Sequence, residues 1–354
     1  MSASSNLGVG RRAFRMRRLP LSGVIDVPAT RAAILLGIAV SAAFVWHLST
    51  GDFPISAGDV IRALIGRGSP ESNFIVYDLR LPRGSLAILA GAALGLSGAI
   101  TQNVARNPLA SPDVLGVTAG SAAGAVAAIV FFRVTGSAEA IFALAGGLLT
   151  AVLVYGLAWR RGITGYRLVL VGIGLSALLT SVTAYALVKA PVIIAEVAVI
   201  WLSGSLSGRG WDYVVPVAIA LVVLVPATYM ASRQLRTLQL GDDAARGVGQ
   251  HVERSRILLV VFAVTLAATA TTGVGLIGFV ALVAPQVGRR LGGARGLALV
   301  RSTLTGSLIV LVADTLGRRV LAPAEIPAGV FTALVGAPYL LWLLARANRQ
   351  GSTG

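Results

Sequence analysis

Apolar runs of about twenty residues recur along this chain, and they constrain its fold more than any other feature. A helix needs about 20 consecutive apolar residues to cross a bilayer. Hydrophobic residues make up 56% of the chain and charged residues only 12%, whereas a soluble domain carries about 25% charged residues. Within lipid, helices satisfy all their backbone polar groups internally. The sequence therefore predicts an all-α polytopic membrane protein.

Hydropathy predicts ten transmembrane helices within a membrane domain of residues 31–346. The eighth is short and carries Pro285 late in its length, which favours a broken helix. A further apolar segment, Ile193 to Leu206, is too short to cross and is predicted to dip into the outer face as a short helix. The ten predicted crossings are residues 31–50, 83–104, 114–132, 138–159, 166–188, 212–232, 255–273, 277–289, 297–317 and 327–346.

The net charge of +16 is distributed in clusters between the apolar runs and forms no single basic face. The positive-inside rule explains that pattern better than nucleic-acid binding does. It places both termini in the cytoplasm, with residues 347–354 as a cytoplasmic tail. The arginine-rich extension, residues 1–30, is expected to be disordered. It is also expected to be retained, because the apolar run after it lacks a small-residue signal cleavage site.

Several kinds of chemistry are excluded by residue usage. The chain has no cysteine and two histidines far apart, which argues against a metal or haem centre. Its one lysine, Lys189, lies in LVKAPV, so the chain has no phosphate-binding loop of the Walker type. Asp314 is the main ionisable residue within a span, and Arg318 four residues later favours a helical ion pair over a proton relay. The chain is thus expected to be no enzyme and to take its energy from a separate ATPase.

Glycines are placed where helices can approach closely. Gly91 and Gly95 share one helical face, as do Gly116, Gly120 and Gly124. Membrane helices associate through such small residues because lipid gives no hydrophobic drive. Tight helix–helix contact is the preferred interpretation, and a groove for a bulky solute is the alternative.

The longest predicted cytoplasmic loop, residues 233–256, contains a candidate docking helix. Asp242 or Asp243 can cap a helix that begins at Ala244, and Gly247 or Gly249 can end it. Such a helix could rest on lipid headgroups, but docking of a partner is the preferred interpretation. An apolar strip lies between its charges: Leu238, Leu240, Ala245 and Val248.

Six ordered sequence blocks resemble the FecCD-type permease subunits of ABC importers for ferric siderophores and vitamin B12, most closely the ferric-enterobactin branch. The resemblance implies a type II ABC importer permease fold. It also implies two ATPases per complex, a second permease chain (identical or paralogous) and a periplasmic or lipid-anchored siderophore-binding protein. The blocks are RLPR (80–83), SGAxxQxxxRNPLASPDVLG (97–116), WLSGSLSGRGW (201–211), LGDDAA (240–245), GFVALVAPQVGR (278–289) and EIPAGVFTALVGAPYLLWLL (325–344).

The resemblance also assigns roles to residues. Arg80, Arg83 and Arg318 match outer-face arginines that pair with glutamates of the binding protein, although anchoring to lipid headgroups is an alternative. A cytoplasmic gate is implied at Asn107, Leu109, Thr164 and Gly165, although Asn107 could instead only cap its turn. Coupling to the ATPase is implied for Leu238, Leu240, Gly241, Asp242, Asp243, Ala244, Ala245, Gly247 and Val248.

The expected function is ATP-driven import of a ferric siderophore across the cytoplasmic (inner) membrane, with no cofactor and no nucleic acid as partner. Two alternatives remain open from the sequence. One is a cobalamin or haem permease of the same build, and the other is an ion-coupled secondary transporter that works alone.

Overall fold

The computed structural model describes residues 11–15, 22–51, 53, 55–159, 165–293, 297–322 and 324–351. Helices dominate this part of the chain. The fifteen α-helices of the described part are α1 (Val27–Ser49), α2 (Ala57–Leu64), α3 (Pro70–Phe74), α4 (Leu81–Ala105), α5 (Val117–Ala127), α6 (Ser137–Ala158), α7 (Gly165–Lys189), α8 (Val192–Leu202), α9 (Trp211–Met230), α10 (Ser232–Leu238), α11 (Asp242–Gly247), α12 (Val252–Val274), α13 (Val280–Leu291), α14 (Leu299–Val320) and α15 (Ala328–Gly351). Two π-helical segments, Ile75–Arg80 and Ala128–Phe132, and a 3₁₀ turn, Pro112–Leu115, adjoin them.

The N-terminal extension contains a β-hairpin where the sequence predicted disorder. Strand β1 (Arg11–Arg15) pairs antiparallel with β2 (Ser22–Asp26), with Arg11 opposite Asp26. Antiparallel pairing lets two neighbouring segments satisfy each other's backbone hydrogen-bonding groups. Helix α1 then begins at once, because Asp26 accepts a capping hydrogen bond from the Ala29 amide and Pro28 occupies the first turn.

Among the described residues, seven helical segments are long and apolar enough to cross a membrane, and each overlaps a predicted crossing. Two further predicted crossings correspond to shorter apolar helices, Val117–Phe132 and Ala328–Trp342, and the eighth corresponds to α13. The full count of ten crossings therefore stays a prediction. The seven segments are Val27–Ser49, Pro70–Ala105, Ala138–Ala158, Val169–Lys189, Trp211–Met230, Val252–Val274 and Leu299–Val320.

Two helix starts differ from the sequence-based expectation, and one predicted short helix is confirmed. Helical structure before α4 extends back to Pro70, so Arg80, which was predicted to lie before the crossing that begins at residue 83, lies within the same helical segment as Arg83. The predicted break in the eighth segment comes at its start, where Phe279 adopts a left-handed φ of 66°, and Pro285 is accommodated inside α13. The short helix predicted near residue 193 is confirmed as α8.

Helix α4 forms the centre of the bundle and packs against α14, α12, α13 and α9. Its glycines make this possible, since a methyl group at Gly91 or Gly95 would overlap the backbone of Gly306 or Ser302 in α14. Gly120 and Gly146 bring α5 and α6 together in the same way. The predicted role of Gly91, Gly95 and Gly120 in helix–helix contact is confirmed.

The two ends of α4 define two ends of the bundle. The arginine end holds the start of α4 with the end of α14. The loop end holds the end of α4 with the segment 231–251 and the end of α13, because hydrogen bonds join these elements there.

Candidate functional site: polar clusters at the two ends of the bundle

Arg83 links three elements at the arginine end. Its guanidinium donates to both carboxylate oxygens of Asp314 in α14, with Nη2–Oδ1 at 2.9 Å and Nε–Oδ2 at 3.0 Å. It also donates to both oxygens of Glu325 at 3.2 and 3.1 Å. Asp314 is almost fully buried, whereas Glu325 keeps 35% of its side-chain exposure. Arg83 therefore neutralises a buried carboxylate while its second partner lies near the surface.

Arg318 belongs to the same cluster. Its Nε lies 3.6 Å from Asp314 Oδ2, which confirms the predicted helical ion pair. It also donates to the carbonyl oxygen of Thr50 at 3.2 Å and to Nδ1 of the buried His47 at 2.9 Å. The ring nitrogen of His47 thus accepts a hydrogen bond from a cation, which favours a neutral imidazole. These contacts join the end of α14 to the end of α1.

Arg80 is the most enclosed of the predicted docking residues. It is 5% exposed and donates to the carbonyl oxygens of Leu48, at 2.7 Å, and Phe53. The side chain of Arg318 is 8% exposed and that of Arg83 13%. Arg319, the next residue after Arg318, is exposed, and sequence reasoning overlooked it. The Arg318-Arg319 doublet could have indicated this, because two adjacent helical residues point in different directions and so cannot both be buried on one face.

A cavity of about 500 Å³ opens beside this cluster. Four arginines and one glutamate contribute to its walls, so its field is positive overall. Its lining residues are Thr50, Gly51, Phe53, Ile75, Leu79, Arg80, Arg83, Arg318, Arg319, Ala322 and Glu325.

At the loop end, α4 terminates in a tight turn. Arg106 takes a left-handed φ of 51° as C-cap, and the Asn107 side chain then accepts a hydrogen bond from the Leu109 amide at 2.9 Å. The Pro108 carbonyl accepts from Gln286 of α13 at 3.0 Å. Asn107 therefore caps this turn, which was the alternative to a gate role in the sequence analysis. Of the other predicted gate residues, Thr164 lies outside the described residues and Gly165 is the first residue of α7.

The predicted cytoplasmic-loop helix is present but starts earlier than expected. Helix α11 begins at Asp242, not at Ala244, and Gly241 with φ 107° occupies the N-cap position in place of Asp242 or Asp243. The positive φ favours glycine there. Both aspartates instead lie in the first turn, where the helix dipole favours negative charge. The carboxylate of Asp242 is thereby free to contact residues outside α11.

The predicted apolar strip of this region divides into two faces. Leu238 and Ala245 are buried and hold α10 and α11 against the bundle. Leu240 and Val248 are 67% and 68% exposed and point away from it. Leu240, in the turn before α11, and Val248, directly after α11, therefore form the exposed part of the strip.

Asp242 joins helices α10 and α11 to the rest of the bundle. Its carboxylate accepts from Arg256 of α12 at 2.9 and 3.1 Å and from Arg106 at the end of α4. Partial burial raises the pKa of Asp242, but the hydrogen bonds and charges of Arg256 and Arg106 outweigh that effect and leave the pKa below its usual value. Asp242 is therefore held as a carboxylate at neutral pH.

Further hydrogen bonds, made by three side-chain amides and one arginine, lie one helical turn deeper in the bundle than the contacts of Asp242. Gln239 donates to the buried Asn103. Gln102 accepts from Arg289 of α13 and donates to the Leu282 carbonyl at 2.9 Å. The end of α4 is thus bonded both to the α10–α11 segment and to α13. No group of three or more acidic or histidine side chains that could hold a metal occurs among the described residues.

Residues 35–346 match the model of the FecCD transport family. The chain belongs to this family. It is 40% identical over 317 residues to the ferric enterobactin transport system permease protein FepG of Escherichia coli (strain K12), covering 90% of this chain and 96% of that protein. It is 42% identical over 321 residues to the Fe(3+)-citrate import system permease protein YfmE of Bacillus subtilis (strain 168), covering 90% and 96%. FecCD members are permease subunits of ABC transporters, which work with ATPase subunits and substrate-binding proteins.

A solved structure has the same fold. A metal-chelate type ABC transporter in an inward-facing conformation superposes with a TM-score of 0.78 at 28% identity, covering 90% of this chain and 99% of that one. The predicted fold class, a helical ABC importer permease, is confirmed by this agreement.

Proposed function

We propose that this chain is a permease subunit of an ATP-driven importer that carries a ferric siderophore across the cytoplasmic membrane. The observation that carries the proposal is the similarity, over about nine-tenths of the chain, to permeases for ferric enterobactin and ferric citrate. The chain supplies the path and performs no covalent chemistry. Transport then follows from shifting populations of outward-open and inward-open states.

The proposed complex contains two ATPases, a second permease chain (identical or paralogous) and a binding protein that delivers the solute. In this arrangement the loop end faces the cytoplasm with both termini, and the arginine end faces outwards. Helices α10 and α11 are the proposed docking pair, and the exposed Leu240 and Val248 beside them would fit a groove on an ATPase. The 107–110 turn and residues 164–165 would form the cytoplasmic gate.

The arginine end is the proposed docking surface for glutamates of the binding protein. Arg319, which lines the cavity and is exposed, is the arginine best placed for a direct contact. Arg80 and Arg318 would not touch the binding protein but would hold the neighbouring helix ends in position. Charges of this kind steer association and fix its register.

The central test is reconstitution in proteoliposomes with the ATPase, the second permease chain and the binding protein. We expect uptake of ferric enterobactin or ferric citrate that requires ATP on the loop-end side. Cyanocobalamin and haem serve as competing solutes in the same vesicles. Uptake by the isolated chain, driven by an ion gradient without nucleotide, would instead establish a secondary transporter and refute the proposal.

The docking surface is tested by Arg319→Glu, because reversing the buried arginines would disturb the fold as well. We expect weaker binding of the binding protein and a loss of uptake relative to wild type that is largest at low salt, since screening weakens both the wild-type attraction and the repulsion in the variant. Arg133→Glu is the matched control, an exposed arginine at the same end but outside the cavity. Equal effects of the two variants would contradict the assignment.

A further inference from the structure

The carboxylate of Asp242 lies at the meeting point of three elements. It is in the first turn of α11, and its two arginine partners come from the end of α4 and from α12. Arg106 is the last residue before the 107–110 turn. A displacement of α11 can therefore be transmitted to the 107–110 turn through the Asp242 carboxylate and the Arg106 guanidinium.

The neighbouring aspartate makes no such connection between elements. The side chain of Asp243 is fully exposed, and it pairs with Arg246 on its own helix at 3.1 Å. Exposed pairs within one short helix contribute little. Of the two adjacent aspartates, Asp243 thus faces outwards and Asp242 holds the helix to the bundle.

A second contact runs parallel to the first. Gln239, just after α10, donates to Asn103, which lies three residues before Arg106 and so on the same face of α4. Asn103 is buried and also donates to the Ala99 carbonyl at 2.6 Å. The docking pair is thus bonded to two successive turns of α4, the inner by an amide pair and the outer by a charged pair.

Hydrogen bonds between charged groups are short and directional, and they are stronger than neutral ones. They therefore transmit a displacement where the apolar contacts of Leu238 and Ala245 would allow sliding. From this geometry we infer that Asp242 is a positioning residue that couples movement of the docking pair α10–α11 to the 107–110 turn through Arg106. The inference rests on the proposed function, since it requires an ATPase bound at α10–α11.

The test compares Asp242→Asn with Asp242→Glu in the complete reconstituted transporter. We expect the amide variant to bind the ATPase normally and to hydrolyse ATP, but to transport about tenfold less solute per ATP, in line with the loss of a charged hydrogen bond. The glutamate variant should recover most of the coupling. Asp59→Asn is the matched control, because that exposed carboxylate pairs with Arg62 at 3.2 Å at the opposite end.

A second readout needs no transported solute. The chain contains no cysteine, so Leu109→Cys places a single thiol in the turn, and its labelling rate can be measured with and without nucleotide. We expect nucleotide to change this rate in the Asp59→Asn background and not in the Asp242→Asn background. If uptake fails with every ferric siderophore while this difference persists, the substrate proposal is wrong and the coupling inference stands.

Arg106→Gln separates the two partners of Asp242. It removes the link to α4 and leaves the Asp242–Arg256 pair intact, so the docking helix keeps its fold. We expect the same loss of coupling as in Asp242→Asn. Normal transport per ATP and normal nucleotide-dependent labelling in either variant would overturn the inference. Loss of ATPase binding would also overturn it, because Asp242 would then be a docking residue.

Discussion

Gly98 shows how closely the centre of the bundle is packed. A methyl group added there would overlap the carbonyl oxygen of Ala281 in α13, which is backbone and cannot move aside. We expect Gly98→Ala to destabilise the protein by about 1–3 kcal/mol, the usual cost of overpacking a core. Thermal unfolding in detergent measures it. Gly37→Ala is the control, since open space surrounds Gly37, and equal melting temperatures for the two variants would contradict the prediction.

Asp113 gives the folded state a specific pH dependence. Burial raises the pKa of this carboxyl to about 6, and the hydrogen bond with Thr118 opposes the shift only in part. Its Oδ1 has no hydrogen-bond partner among the described residues. Because the folded state binds this proton more tightly than the unfolded state, stability from this group is present below pH 4 and is lost as the pH rises to about 6.

Asp113→Asn should therefore flatten the stability profile. The expected difference between the wild-type and variant profiles amounts to about 3 kcal/mol between pH 4 and pH 7, since each pKa unit corresponds to about 1.4 kcal/mol. Parallel thermal unfolding curves of the two proteins across this range check it. Profiles of identical slope would show that this carboxyl titrates normally.

At the scale of elements, the Arg83 cluster ties α4 to α14 and to the segment before α15. Its two carboxylates differ in burial, with side-chain exposures of 3% for Asp314 and 35% for Glu325. Breaking a buried pair costs about 3–5 kcal/mol, whereas an exposed pair is worth about 1 kcal/mol or less. We expect Asp314→Asn to lower the unfolding free energy by several times as much as Glu325→Gln. Denaturation in detergent with both variants measures the two losses.

Helix α11 shows where local sequence rules stop. The doublet Asp242-Asp243 has strong capping propensity, and the sequence predicted a helix of about the right length in the right loop. Gly241 occupies the N-cap position instead. The carboxylate of Asp242 accepts hydrogen bonds from two arginines that are 136 and 14 residues away in the chain. No local pattern contains that information.

At the scale of the whole molecule, the proposed orientation can be measured directly. The chain has no cysteine, so Ser207→Cys and His251→Cys each carry one thiol. Ser207 is exposed near the arginine end, where Trp211 donates to the Tyr77 carbonyl, and His251 is exposed at the loop end. An impermeant thiol reagent added outside intact cells should label the first and not the second. The reverse pattern would invert the topology.

Hydropathy and charge distribution along the chain were enough to predict a helical membrane protein, and the ordered sequence blocks predicted its family. Those properties depend on residues near one another in sequence, because crossing a bilayer constrains each helix separately. Which charged side chains are buried, and which partners they bind, was decided only by the tertiary structure. Arg80 and Arg318 are enclosed while Arg319 is exposed, and Asp242 is bound from two helices, because their partners arrive from distant parts of the chain when the helices pack.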